Sequence, residues 1–204
     1  MRMRYIALIL AGINILVFVL QQIIPGFTDA LILVPANNHV YELITSMFLH
    51  GSLSHLFFNM FALFIFGLLL EKNIGSKKFV YVYFFSGLIA SFSAFIFYYN
   101  TPVLGASGAI YGAMGALGVV RPKLVVWVLG APMPAFLAVV IWFFVSLAGI
   151  FSEGNIAHGA HLFGLITGVV FGLYYREPDE TKERKKVYVS EKRIREWEKR
   201  HMED

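Results

Sequence analysis

Long apolar runs broken by short polar segments organise this chain. Ile6–Ile24, Leu53–Leu70, Phe79–Tyr99, Ala106–Val120, Val125–Phe151 and Ile156–Tyr175 are each almost continuously hydrophobic. A helix needs roughly 20 apolar residues to cross a hydrocarbon layer about 30 Å thick, and five of the six runs approach or exceed that length. The fourth is too short to span by itself, so it is expected inside the bundle, with other helices and water around its ends. Pro132 and Pro134 interrupt the fifth. The pattern predicts an all-α integral membrane protein, a six-transmembrane-helix bundle with a short buried fourth helix. Arg2 and Arg4 ahead of the first run look like the start of a signal peptide, but the run exceeds the roughly 7–15 apolar residues of such a segment, and a retained helix fits better.

Composition points the same way. With 58% hydrophobic and 15% charged residues and a mean hydropathy of +0.68, a water-soluble core with a polar shell is excluded. The 17 Lys and Arg set the expected orientation, because cations near helix ends stay on the cytoplasmic side. Arg2 and Arg4 precede the first run, Lys72, Lys77 and Lys78 follow the second, Arg121 and Lys123 follow the fourth, and the rest lie after the sixth. The alternate segments 25–52, 100–105 and 152–155 carry no cation, only the acids Asp29, Glu42 and Glu153. Six crossings with both termini in the cytoplasm satisfy all these charges, whereas an odd number strands a basic block outside. A multi-pass protein of the cell membrane is expected, with residues 1–175 as the membrane core and 176–204 as a charged cytoplasmic tail. The tail reads as solvated, with a marginal helix, and its cations suit contact with anionic lipid headgroups at about 1 kcal/mol each. Zero Cys removes disulfide and thiol chemistry. No cofactor and no nucleic-acid partner is expected.

In this topology the second, fourth and sixth runs all enter from the outer face, so their N-terminal turns share one depth. His50, His55 and Asn59 begin the second, Ser107 the fourth, and His158 and His161 the sixth. At 1.5 Å per residue, each lies within roughly 10 Å of the outer end of its helix. A lone Ser in such a helix ordinarily bonds its own backbone or a neighbouring helix, and a lone His makes a structural interhelical bond. Several such groups on three helices at one depth are a different matter, since polar side chains within the membrane mark functional sites. Ala160, Gly164, Gly168 and Gly172 form a smooth strip on one helix, and Gly108, Gly112 and Ala116 form another. Strips of this kind let membrane helices approach closely. Here they carry His161 and Ser107 at their outer ends, within a predicted hydrogen-bond reach of about 2.6–3.2 Å.

A serine hydroxyl attacks only once a base takes its proton, and neutral His suits that role near neutral pH. Ser107 is therefore the candidate nucleophile and His161 the candidate base. No acid is available as a third member, since Asp29, Glu42 and Glu153 all fall in loops. A dyad is expected, with the imidazole oriented by packing, and Tyr111, one turn after Ser107, is placed to stack on it. His55 and Asn59, four residues apart on one helix face, and the Ser107 backbone N–H are the expected donors to a tetrahedral oxyanion. His50 and His158 are read as structural. A zinc site built from His50, His55, His158 and His161 has enough imidazoles but leaves Ser107 and its glycines without a purpose. A transporter is expected to show related halves or midplane charges, and neither is evident.

The chain resembles the rhomboid intramembrane serine proteases. The matching residues are His50-Gly-Ser-Leu-Ser-His55-Leu-Phe-Phe-Asn59, Gly105-Ala-Ser107-Gly108 with Tyr111, and Ala160-His161 followed by Gly164 and Gly168. The resemblance implies a six-helix bundle with a water-filled cavity open to the outer face, and hydrolysis of peptide bonds in or near membrane-spanning segments of single-span substrate proteins. It gives Ser107 and His161 the catalytic roles, makes His55 and Asn59 oxyanion partners, and has Gly105 shape the loop before the serine. It sets Phe58 and the Trp142/Phe143 pair at a lateral gate between the second and fifth helices. By the same similarity the chain looks like a minimal core without a domain ahead of the first helix, and an inactive relative would be expected to lack the Ser or the His. One departure stands out: many members carry an aromatic–arginine pair where this chain reads Tyr41-Glu42-Leu43-Ile44, so loop 25–50 needs a different anchor.

Overall fold

A computed structural model of the chain describes residues 4–37, 39–128, 130–152, 156–176 and 191–202. Arg2, Glu153 and residues 177–190 of the expected tail lie outside the described residues. The described body is a helical membrane bundle: α1 (Ile6–Ile23), α2 (Leu53–Ile74), α3 (Ser76–Phe97), α4 (Ser107–Val120), α5 (Ala135–Gly149) and α6 (His158–Tyr175). By length and composition α1, α2 and α3 can each cross a membrane. The other three carry less apolar length and pack against one another. Of these α4 is central, with ten of its 14 residues buried, as expected for the short fourth helix. A further helix, α7, covers Glu191–His201 in the tail.

Local signals explain where the long helices begin and turn. Ser52 caps α2 by accepting the His55 N–H at 3.1 Å, the usual task of an N-cap hydroxyl. Gly75 at φ +82° reverses the chain between α2 and α3, a backbone conformation only glycine adopts without strain.

The fifth run, expected over Val125–Phe151 as a span interrupted at Pro132 and Pro134, is not helical ahead of the second proline. Its first ten residues fold as an antiparallel hairpin, β1 (Val125–Val128) and β2 (Ala131–Pro134), with Trp127 opposite Pro132 and Val125 opposite Pro134. The cause is local: β-branched and aromatic residues favour strand, Gly130 turns at φ +78°, and two prolines that lack an N–H cannot continue a helix. Only Ala135–Gly149 remains helical.

Glu71 is fully buried and does structural work that the apolar pattern conceals. Its carboxylate accepts the backbone N–H groups of Ile6 and Ala7, both at 3.0 Å, and the Ser76 hydroxyl at 2.6 Å. The first turn of α1, whose N–H groups have no partner within the helix, is thus capped by a side chain from α2. Replacing Glu71 with Leu leaves three buried donors without acceptors, at about 1–3 kcal/mol each. Thermal unfolding in detergent is expected to show Glu71→Leu among the most destabilised single variants.

Glu42 supplies the anchor that the missing arginine left open. It is 2% exposed and accepts from Val34 N at 3.0 Å and His39 Nδ1 at 2.7 Å. The loop it braces is bridged to the α3–α4 connection by the Leu33–Val103 backbone pair.

Candidate active site

The α4–α6 contact is what brings the polar residues together. A methyl group on Gly164 would run into the Gly108 carbonyl oxygen, and one on Gly168 into that of Gly112, so the two backbones touch directly. The first turns of α4 and α6 therefore lie side by side. His161 Nε2 and Ser107 Oγ are 2.8 Å apart. Tyr111 stacks on the His161 ring with centroids 4.3 Å apart and planes within 15°, and its other neighbour is the edge of Trp142 at 5.9 Å.

His161 Nδ1 is buried and has no hydrogen-bond partner. Glu42 is committed elsewhere, so the tyrosine stack and the serine hydroxyl hold the imidazole. For Nε2 to accept the Ser107 proton, Nδ1 must carry the hydrogen.

Gly105 shapes the approach to the serine. Its φ is +124°, its N–H donates to Ser46 O at 2.9 Å, and a methyl there would lie 2.9 Å from His55 Cε1 and 3.7 Å from Ser107 Oγ. The His55 imidazole and the Ser107 hydroxyl thus flank the same glycine. Asn59 is one turn further along α2, buried, with Nδ2 lacking a partner. Buried donors are almost always satisfied, so the unused Asn59 N–H, in the cavity that Ser107 also lines, is a candidate donor to developing negative charge. Ser107, His161, His55, Asn59 and Tyr111 all line one cavity of about 1170 Å³, together with Ser52 and Thr101 at its mouth and Phe58 and Trp142 on its walls.

His50 and His158 adjoin this site. His50 is 1% exposed and packs edge-on to His55 with centroids 5.1 Å apart. Burial first, then the neighbouring His55, pushes its pKa down to about 4. An unfolded His50 titrates near 6.5, so the unfolded state takes the extra proton between those values and stability falls as pH drops through that window. Melting temperatures measured across it are expected to fall less steeply in His50→Gln. His158 is edge-on to His161 at 6.0 Å. Among the described residues no three His, Asp or Glu side chains form a cluster that could hold a metal.

Two supporting residues escaped the sequence reading. The Tyr98 hydroxyl accepts the Gly159 N–H at 2.9 Å and so fixes the first turn of α6. Gln21 brackets His50, accepting from its N–H at 2.9 Å and donating to its carbonyl at 3.3 Å. Gln21 was visible as a polar residue in an apolar run; for Tyr98 no sequence signal existed, because its partner is a backbone group.

Comparison with known proteins gives a consistent result. A model of the Rhomboid domain matches residues 37–178. The chain is similar to rhomboid protease GluP of Bacillus subtilis, 31% identical over 169 residues, covering 77% of this chain and 32% of that protein. It is similar to rhomboid protease GlpG of Haemophilus influenzae, 27% identical over 175 residues, covering 82% and 88%. It is also similar to Inactive RHOMBOID-like protein 8 of Arabidopsis thaliana, 33% identical over 81 residues, covering 40% and 23%. The match thus spans about a third of GluP and most of GlpG.

Proposed function

The chain belongs to the rhomboid family, and from that premise we propose that this multi-pass membrane protein is an intramembrane serine endopeptidase working through a Ser107–His161 dyad. The observation that carries the reading is the 2.8 Å Ser107 Oγ to His161 Nε2 contact, made at the wall of a cavity large enough for a peptide and for water. Ser107 Oγ attacks the carbonyl carbon of the scissile bond as its proton passes to Nε2. The oxyanion is met by Asn59 Nδ2, His55 and the Ser107 backbone N–H, donors held in place before charge develops. The imidazolium then protonates the leaving amine, and water entering the cavity repeats the sequence on the acyl-enzyme.

Substrates are single-span membrane proteins whose helix unwinds near the cut. The site opens to the extracytoplasmic face and both termini are cytoplasmic, an orientation that the Lys/Arg distribution supports. On that side α7 carries Arg193, Arg195, Lys199 and Arg200, suited to anionic lipid.

Asn59→Ala is expected to lower kcat by about 10²–10³-fold with little change in KM, since it removes one oxyanion donor. A second reading, a catalytically inactive binder of membrane proteins, is favoured only by the likeness to a relative named inactive. A fluorophosphonate probe separates the two. Peptide mapping is expected to find the adduct on Ser107 in the wild type and none in His161→Ala; an unlabelled wild type, with no substrate cut, supports the binder.

A further inference from the structure

The cavity extends well beyond what a dyad needs. It continues past Asn59 and Tyr111, away from the Ser52–Thr101 mouth, to Phe66 of α2, Met114 of α4, and Trp127, Val128 and Gly130 of the hairpin. Met114 is two turns along α4 from Ser107, about 10 Å at 1.5 Å per residue. Beyond Asn59 and Tyr111 its lining on that side is apolar throughout. Val126 and Val128 are buried in the core, and Trp127, 63% exposed, borders the cavity together with Val128.

This apolar extension is continuous with Ser107, and its length has a meaning for a bound chain. About three extended residues, at ~3.3 Å each, or about seven helical ones cover the distance from the nucleophile to Met114. We propose that the hairpin is a second substrate-binding surface. Trp127, with Phe66 and Met114, packs against a bulky apolar residue of the substrate's membrane segment at or beyond the roughly three to seven positions that reach Met114, and so sets how deep the substrate sits when the scissile bond reaches Ser107. The proposal rests on the endopeptidase reading and adds a specificity element to it. Hydrocarbon solvates apolar groups as well as protein does, so the gain comes from van der Waals packing. Side-chain size at that substrate position therefore matters more than hydrophobicity as such.

Two substrates in liposomes test it: a complete single-span segment, and a peptide ending two residues beyond the cut. Trp127→Ala is expected to lower kcat/KM for the long substrate relative to the short one by roughly three- to tenfold, through KM, and Trp127→Phe to recover most of the loss. A photo-cross-linking residue at position 127 in the Ser107→Ala background is expected to capture the long substrate three or more residues past the cut. Equal losses on both substrates, or cross-links to lipid alone, overturn the proposal and leave Trp127 an interfacial anchor. A wild type that cuts neither substrate contradicts the endopeptidase reading instead, and the cross-link then reads the surface separately.

Discussion

Ser107→Ala and His161→Ala are each expected to lower kcat/KM toward a cleavable membrane substrate by about 10⁴–10⁶-fold, with the double variant no worse than either single one. In the proposed dyad nucleophile and base act as one unit, so removing either member removes the step, and losses in such units do not add. Steady-state kinetics in detergent or liposomes measures this directly. Two independent, additive losses would mean that the 2.8 Å contact between Ser107 and His161 is a structural hydrogen bond rather than a proton-transfer pair. Among the described residues His161 Nδ1 has no partner, so in the proposed mechanism no described carboxylate stabilises the imidazolium. Tyr111 stacks on the ring at 4.3 Å, and His158 lies edge-on to it at 6.0 Å.

Gly168→Val is expected to damage activity strongly too, although it touches no reacting atom. The added Cβ would meet the Gly112 carbonyl oxygen and carbon, backbone atoms that cannot swing aside. The α4–α6 contact must open, and since Ser107 and His161 lie on opposite sides of it, their separation grows. A misplacement of about 1 Å in a catalytic pair can cost about 10²-fold, and the lost helix packing lowers thermal stability as well. Both are expected together: activity down by at least roughly a hundredfold and a lower melting temperature. Gly12→Val on α1, where nothing lies within 4 Å of the new Cβ, is the matched control and is expected to leave both unchanged.

The site was more legible in the sequence than the fold around it. Ser107, His161, His55 and Asn59 could be brought to one depth because helix rise and charge placement convert residue number into height, and the small-residue strips then said which helices touch. Tyr111 followed from being one turn past the serine. The hairpin at 125–134 was missed because Val, Trp and Leu look alike to a hydropathy reading, and only the proline spacing and Gly130 carried the correction. The sequence places Glu42 in a loop and gives Glu71 no role. Both are buried acceptors for backbone N–H groups, eight residues away for Glu42 and 64 and 65 residues away for Glu71, and such partners have no side-chain signature. The anchor of loop 25–50 was therefore beyond reach, even though the arginine it replaces was seen to be missing.

The most direct test uses purified protein in liposomes with a single-span substrate, with the products mapped by mass, in the presence and absence of a metal chelator. Cleavage within the substrate's membrane segment is predicted for the wild type, untouched by the chelator and lost in both Ser107→Ala and His161→Ala. Cleavage that survives Ser107→Ala, or that disappears when metal is removed, would contradict the dyad and move the chemistry to another group in the cavity.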